Sequence, residues 1–127
     1  MKRMIWLFVL VFVLSACNSE TQKSEALIAA ETYQQAFADK DAERVSALSC
    51  ADWEEQALLE MDSFQAVKVE LQGLNCQETG EDGEAVLVLC DGKLLTTYGE
   101  EQREFDLSSR TFRVVQQGGN WLICGVQ

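Results

Sequence analysis

Phe112-Arg113-Val114-Val115-Gln116-Gln117-Gly118-Gly119-Asn120-Trp121-Leu122-Ile123-Cys124 reads as two strands joined by a two-residue turn. Gly-Gly between apolar runs is a strong hairpin signal, because such turns need a positive φ at their central residues. The turn fixes a register. Gln117 faces Asn120, Val114 faces Ile123, and Arg113 faces Cys124. Side chains alternate along a strand, so Phe112, Val114, Trp121 and Ile123 share one face, taken as the core face. Val115, Leu122 and Cys124 share the other.

Upstream of this hairpin the chain keeps the two-residue period. Phe105 to Gln117 is one strand, preceded by a turn from Gly99 to Arg103. Ala85 to Tyr98 is a long strand. Asp91-Gly92 inside it is either a tight turn or a bulge in a continuing strand, and the bulge is preferred. Gly80-Glu81-Asp82-Gly83 is a turn, and Ala66 to Leu71 alternates as a half-buried strand.

Further upstream the period becomes helical. Ser24 to Ala38 places Leu27, Ala30, Tyr33, Ala36 and Phe37 on one face, with Ser24 as N-cap. Asp41 caps a short helix from Ala42 to Leu48, with Val45 and Leu48 inward. Ser49-Cys50-Ala51-Asp52 fits the Ser-x-x-acid start of a third helix. Its stripe is Trp53, Ala57, Leu58 and Met61, and it ends near Asp62. Helices followed by an antiparallel meander make an α+β plan.

The N-terminus carries an address. Lys2 and Arg3 precede an apolar run from Ile5 to Leu14, then Leu14-Ser15-Ala16-Cys17. The run is too short to span a bilayer, which takes about 20 apolar residues, and the layout is that of a secretory signal. Leu-Ser-Ala-Cys resembles the lipobox of bacterial lipoproteins. That resemblance implies cleavage before Cys17, a lipid on its thiol and an extracytoplasmic protein held at the membrane of the cell envelope. Two or more acyl chains anchor stably where one does not. Asn18 after the cysteine resembles the non-retained, outer-membrane type of Gram-negative lipoproteins. Residues 1–16 are then the signal peptide, 17–23 a polar tether, and 24–127 the domain.

Removing residues 1–16 takes away Lys2 and Arg3 and no acid. Eight cations then face 21 acids, a net charge of −13. Such a surface repels phosphate backbones, so no nucleic-acid partner is expected. The sequence has no histidine, which excludes histidine triads, histidine bases and histidine-held metals. No cofactor is expected.

Cys50, Cys76, Cys90 and Cys124 remain in the mature chain. Outside the cytoplasm four cysteines suggest two disulfides, and the absence of C-x-x-C spacing argues against a metal. In a meander one strand separates Cys90 from Cys124, putting them about 9.6 Å apart. Disulfide Cα atoms need roughly 4.4–6.8 Å. Cys76–Cys90 and Cys50–Cys124 remain, the second with Cys50 reaching round the sheet edge.

Tyr33-x-x-Ala36-Phe37, the acid-capped second helix at Asp41 and Gly-Gly-Asn-Trp-Leu-Ile resemble the nuclear transport factor 2-like, or SnoaL-like, superfamily across residues 24–127. The resemblance implies helices on a curved antiparallel sheet, a cystatin-like architecture. It also implies a cone-shaped pocket, and the chain departs from longer members in lacking room for the early hairpin they carry. The superfamily includes ketosteroid-isomerase-like enzymes with a carboxylate base and a tyrosine donor. Tyr33, Tyr98 and Asp62 or Asp106 are the residues that such a site would use, though no motif joins them. Glu78, Glu81, Asp82 and Glu84 lack a calcium-loop pattern and read as a solvated turn. The expected role is non-catalytic, binding a small apolar ligand or an envelope protein. The alternatives are a small carboxylate-based enzyme and a structural envelope component.

Overall fold

The computed structural model describes residues 24–127, so the signal, the tether and Cys17 lie outside the described residues. Among the described residues the order is α1 (Glu25–Ala38), α2 (Ala42–Ala47), α3 (Ala51–Asp62), β1 (Lys68–Asp82), β2 (Ala85–Tyr98), β3 (Glu101–Asp106), a 3-10 turn (Leu107–Ser109), β4 (Thr111–Gln117) and β5 (Asn120–Val126). The helices cover one face of an antiparallel sheet ordered β1-β2-β4-β5, with β3 also paired to β2.

Helix α1 begins where Ser24 Oγ accepts from Leu27 N at 3.2 Å, satisfying one of the amides left open at a helix start. Its small residues Ala26, Ala29, Ala30 and Ala36 let the helix approach the sheet, and Tyr33 and Phe37 fill the space beyond. Lys40 ends the segment at φ 56°, and its Nζ donates to the Gln65 and Val67 carbonyls, tying down the chain after α3. Asp41 caps α2 by accepting from Arg44 N at 3.1 Å.

The start of α3 differs from the expected Ser-x-x-acid cap. Cys50 is the N-cap residue and makes no side-chain cap bond, while Ser49 Oγ donates to the Val45 carbonyl at 2.7 Å. The backbone explains the change. Cys50 N donates to Ile123 O at 2.9 Å, and Ile123 N donates to Leu48 O at 2.8 Å. Leu48–Cys50 thus runs parallel beside β5 and covers its free edge, which an uncovered sheet would leave open to wrong pairing.

Strand β1 extends to Asp82, eleven residues past the expected end at Leu71. Two bulges hid it. Register shifts lie between Gln72 and Asn75 and between Glu78 and Gly80, and each breaks the two-residue alternation. Gly92 sits opposite the first. The chain runs straight through it as a strand, and the extra residue belongs to β1. A Cβ on Gly92 would stand 2.7 Å from the Gln72 carbonyl oxygen, and its φ is +120°. The β1–β2 turn is only Gly83-Glu84, since Asp82 pairs with Ala85.

The single expected strand from Phe105 to Gln117 is divided. β3 pairs with Lys93–Tyr98 and β4 with Ala85–Leu89, in line along one side of β2. Between them Asp106 Oδ1 accepts from Ser108 N and Oγ at 2.9 and 2.7 Å, winding a turn that buries Leu107. Asp-Leu-Ser-Ser carries the residues that make such turns.

The final hairpin pairs Gln117 with Asn120 and Val114 with Ile123, but Arg113 faces Gly125 rather than Cys124. A bulge leaves Cys124 as the extra residue, and this re-aims it toward the strip at Leu48–Cys50. Phe112, Val114 and Ile123 are fully buried under the helices and Trp121 is half-buried.

Candidate functional site

The cone between helices and sheet is filled at its base. Tyr33 packs edge-on against Phe112, ring centres 5.6 Å apart, and Phe37 lies 6.4 Å from Tyr33. Tyr33 Oη accepts from Trp53 Nε1 at 3.2 Å. Burial raises the Tyr33 pKa above the ordinary tyrosine value, outweighing the lowering effect of the Trp53 bond, because a phenolate there would lose its hydration.

From this base a row of aromatic rings leads outward. Phe37 meets Phe64 at 5.4 Å, and Phe64 meets Phe105 at 5.6 Å with the planes at 79°. Phe64 sits just after α3. Phe105 lies on β3 opposite Leu94 and is 44 % exposed. Because strand residues alternate, Leu94, Thr96 and Tyr98 share the helix-side face with Phe105, Arg103 and Glu101. Along this face Leu94 and Thr96 are buried, and Phe105 and Tyr98 are exposed.

Two hollows flank the Phe64–Phe105 pair. The outer one, about 390 Å³, is bounded by Val67, Thr96, Tyr98, Glu101 and Arg103. The inner one, about 250 Å³, is bounded by Gln34, Phe37, Glu60, Leu94 and Arg110 together with Asp106. Both share Ser63, Phe64 and Phe105, so they form one two-lobed cleft. Each lobe carries an opposite-charge pair. Arg110 Nη1 lies 2.9 Å from Glu60 Oε2 in the inner lobe, and Arg103 Nη2 lies 2.9 Å from Glu101 Oε1 in the outer. Gln34, only 4 % exposed, lines the inner lobe with a carboxamide that has no hydrogen-bond partner among the described residues.

Of the residues singled out for an acid–base site, Tyr98 and Asp106 line opposite lobes of the cleft, while Tyr33 and Asp62 lie outside its lining. Tyr33 is in the packed base, and Tyr98 is 67 % exposed at the rim. Asp62 borders a separate hollow beside Leu58 and Leu59. Asp106 caps the 3-10 turn through Ser108, which holds its carboxyl below the usual value. The acidic β1–β2 turn is solvated. Glu78 accepts from Ser24 Oγ, and Asp82 lies 3.5 Å from Arg113. No cluster of acid or cysteine side chains able to hold a metal occurs among the described residues.

The four cysteines form two bonds. Cys76 and Cys90 face each other across β1 and β2, Cα atoms 4.0 Å apart, and Cys50 joins Cys124 with Cα atoms 5.1 Å apart. Sequence reasoning missed Gln34, Phe64, Phe105, Glu60 and Arg110. An apolar Phe105 within Glu-Glu-Gln-Arg-Glu-Phe-Asp is a visible irregularity. The Glu60–Arg110 pair, fifty residues apart, leaves no local mark.

The architecture is that of the nuclear transport factor 2-like fold. A nuclear transport factor 2-like protein of unknown function from Pseudomonas putida KT2440 superposes with a TM-score of 0.53 at 18 % identity, covering 85 % of each chain. A SEC-C motif containing protein from Rhodopseudomonas palustris gives 0.55 at 13 % identity, covering 84 % of this chain and 82 % of that one. Residues 1–18 match the prokaryotic membrane lipoprotein lipid attachment site. The chain is therefore a lipid-anchored lipoprotein of the bacterial envelope carrying a domain of this fold. No curated protein matches it in sequence.

Proposed function

We propose that the protein is an extracytoplasmic binding module, lipidated on Cys17, that holds a small amphiphilic ligand in the two-lobed cleft without transforming it. The observation that carries this reading is the open Phe64–Phe105 pair at the end of an otherwise packed aromatic row. Two rings left at a mouth, with hollows of ligand size on both sides, suit an apolar group inserted between polar walls. Tyr33 and Asp62 lie outside the lining of the cleft, Tyr98 and Asp106 lie in different lobes, and the Asp106 carboxylate is engaged by Ser108, which supports binding over acid–base chemistry. The acidic surface supports a role beside the membrane and away from nucleic acid.

The test is titration of the lipidated protein in detergent micelles with the neutral fluorophore N-phenyl-1-naphthylamine. Saturable one-to-one binding should be lost in Phe105→Ser and retained in Leu59→Ser, which removes an exposed apolar side chain elsewhere. Equal loss in both variants, or no binding to the parent, would refute the cleft as a ligand site. For the anchor, Cys17→Ser should move the protein from the membrane fraction to the soluble fraction.

A further inference from the structure

Resting on the reading of the cleft as a small-ligand site, we infer that its ligand is a short zwitterionic peptide with a bulky apolar side chain. The inference starts from Gln34. A carboxamide presents an acceptor and a donor side by side. The Gln34 side chain is largely buried, no residue of the fold bonds its carboxamide among the described residues, and its polar end opens into the inner lobe, where a ligand can use it. The cleft is where those bonds can be made, and an amide or an ammonium beside an amide is the natural complement.

The charges narrow the class. The inner lobe has Glu60 and Asp106 against Arg110, a surplus of one acid. The outer lobe has Glu101 against Arg103 and is balanced. An ammonium is favoured in the inner lobe, between the Gln34 carbonyl oxygen and the Glu60 carboxylate. A carboxylate is favoured at the outer lobe, on Arg103, whose side chain is largely exposed and free to turn from Glu101. The net charge of the mature chain works against a purely anionic ligand and concentrates positive ends near the cleft. Phe64 and Phe105 lie between the two poles and take the apolar side chain.

The spacing agrees. Arg103 and Phe105 are two residues apart on β3, about 6.6 Å along the strand, and the inner lobe lies beyond Phe105. An extended di- or tripeptide spans about 7–11 Å. A free amino acid is too short to reach both charged pairs.

The experiment is calorimetric titration of the lipidated protein in micelles with Ala-Phe-Ala, its N-acetyl form, its C-terminal amide and Ala-Ser-Ala. Ala-Phe-Ala should bind one to one. Acetylation should weaken it roughly tenfold or more, amidation roughly threefold or more, and Ala-Ser-Ala roughly tenfold, the scale of losing one charged or one apolar contact. Gln34→Leu should weaken Ala-Phe-Ala about tenfold with the melting temperature kept or raised. Arg103→Met, at an exposed position, should weaken the free acid and leave the amide unchanged. Equal affinity for free and blocked peptides overturns the inference. So does tighter binding of the amide, which would mean a simple cation. If the naphthylamine binds and is lost in Phe105→Ser while no tripeptide binds, the peptide assignment falls and the small-ligand reading stands. If neither probe binds, both fall.

Discussion

Breaking the Cys50–Cys124 bond should cost the fold more than breaking Cys76–Cys90. The first closes a sequence separation of 74 and the second one of 14. Loop-closure entropy then assigns about 4.5 kcal/mol to the first and about 3 kcal/mol to the second at 25 °C. Replacing cysteines alone would confuse this comparison, because Cys90 is fully buried and Cys50 and Cys76 nearly so, and each lost sulfur also loses packing. A cleaner measurement compares oxidised and reduced forms of the same chain. Cys76→Ala/Cys90→Ala, melted with and without reductant, reports only the Cys50–Cys124 bond. Cys50→Ala/Cys124→Ala reports only the other. In both the thiols stay in place. The backbone bonds from Cys50 N to Ile123 O and from Ile123 N to Leu48 O also persist, so the loss falls on the unfolded chain. For a domain of roughly 100 residues the expected drops in melting temperature are roughly 20 °C and 13 °C. Far-UV circular dichroism suffices as the readout. An equal or inverted order would refute the entropic account, and a Cys50–Cys76 peptide in a non-reducing digest would refute the strand order itself. Domain stability is typically about 5–15 kcal/mol, so the fully reduced protein should be close to unfolding at growth temperature.

Gly92→Ala should destabilise by about 2–4 kcal/mol, because the new methyl meets two β1 carbonyl oxygens at 2.7 and 2.9 Å and backbone cannot step aside; urea unfolding measures it. Tyr33→Phe removes the acceptor for Trp53 Nε1 and should cost about 1–2 kcal/mol. The pKa of Tyr33 is raised on folding, so its contribution is intact below the unfolded value of about 10 and is lost as pH rises through the folded value. The alkaline fall in stability should be shallower in Tyr33→Phe, and equal slopes would count against the burial argument. Asp106 has its pKa lowered by Ser108, so the 3-10 turn should loosen as pH falls through the carboxylate range. Faster hydrogen exchange at the Ser108 amide in Asp106→Asn checks this.

The parts of the fold that sequence made legible are those with local causes. Asp41 accepting from its own N3 amide, Gly118-Gly119 turning a hairpin and Tyr33 lying one turn before Phe37 all act within a few residues. What escaped was decided at longer range. Ser49 loses the cap of α3 because Cys50 is bonded to Ile123, seventy-three residues away. β1 outruns its pattern because its bulges suit Gly92 and Val88 on another strand. Cys124 leaves the alternation because a bulge beside Arg113 shifts the register.

The cleft follows the same rule more severely. Gln34, Phe64 and Phe105 come from a helix, a loop and a strand, and each alone has an ordinary reading: a polar residue on a helix, an aromatic in a turn, an apolar residue at a sheet edge. Their meaning lies in proximity. The Gln34 carboxamide has no partner in the fold among the described residues and opens into the inner lobe, and the Phe64–Phe105 pair, though packed edge-on, leaves Phe105 44 % exposed. Placed together with Glu60 and Arg110 they share one remedy, a ligand with an apolar side chain and hydrogen-bonding ends. Fold stability alone does not call for that arrangement, since no described residue bonds the Gln34 carboxamide. Hence a Gln34→Leu protein that melts at or above the parent temperature and binds Ala-Phe-Ala less tightly would place the carboxamide on the side of function. One that melts lower would mean that Gln34 serves the fold.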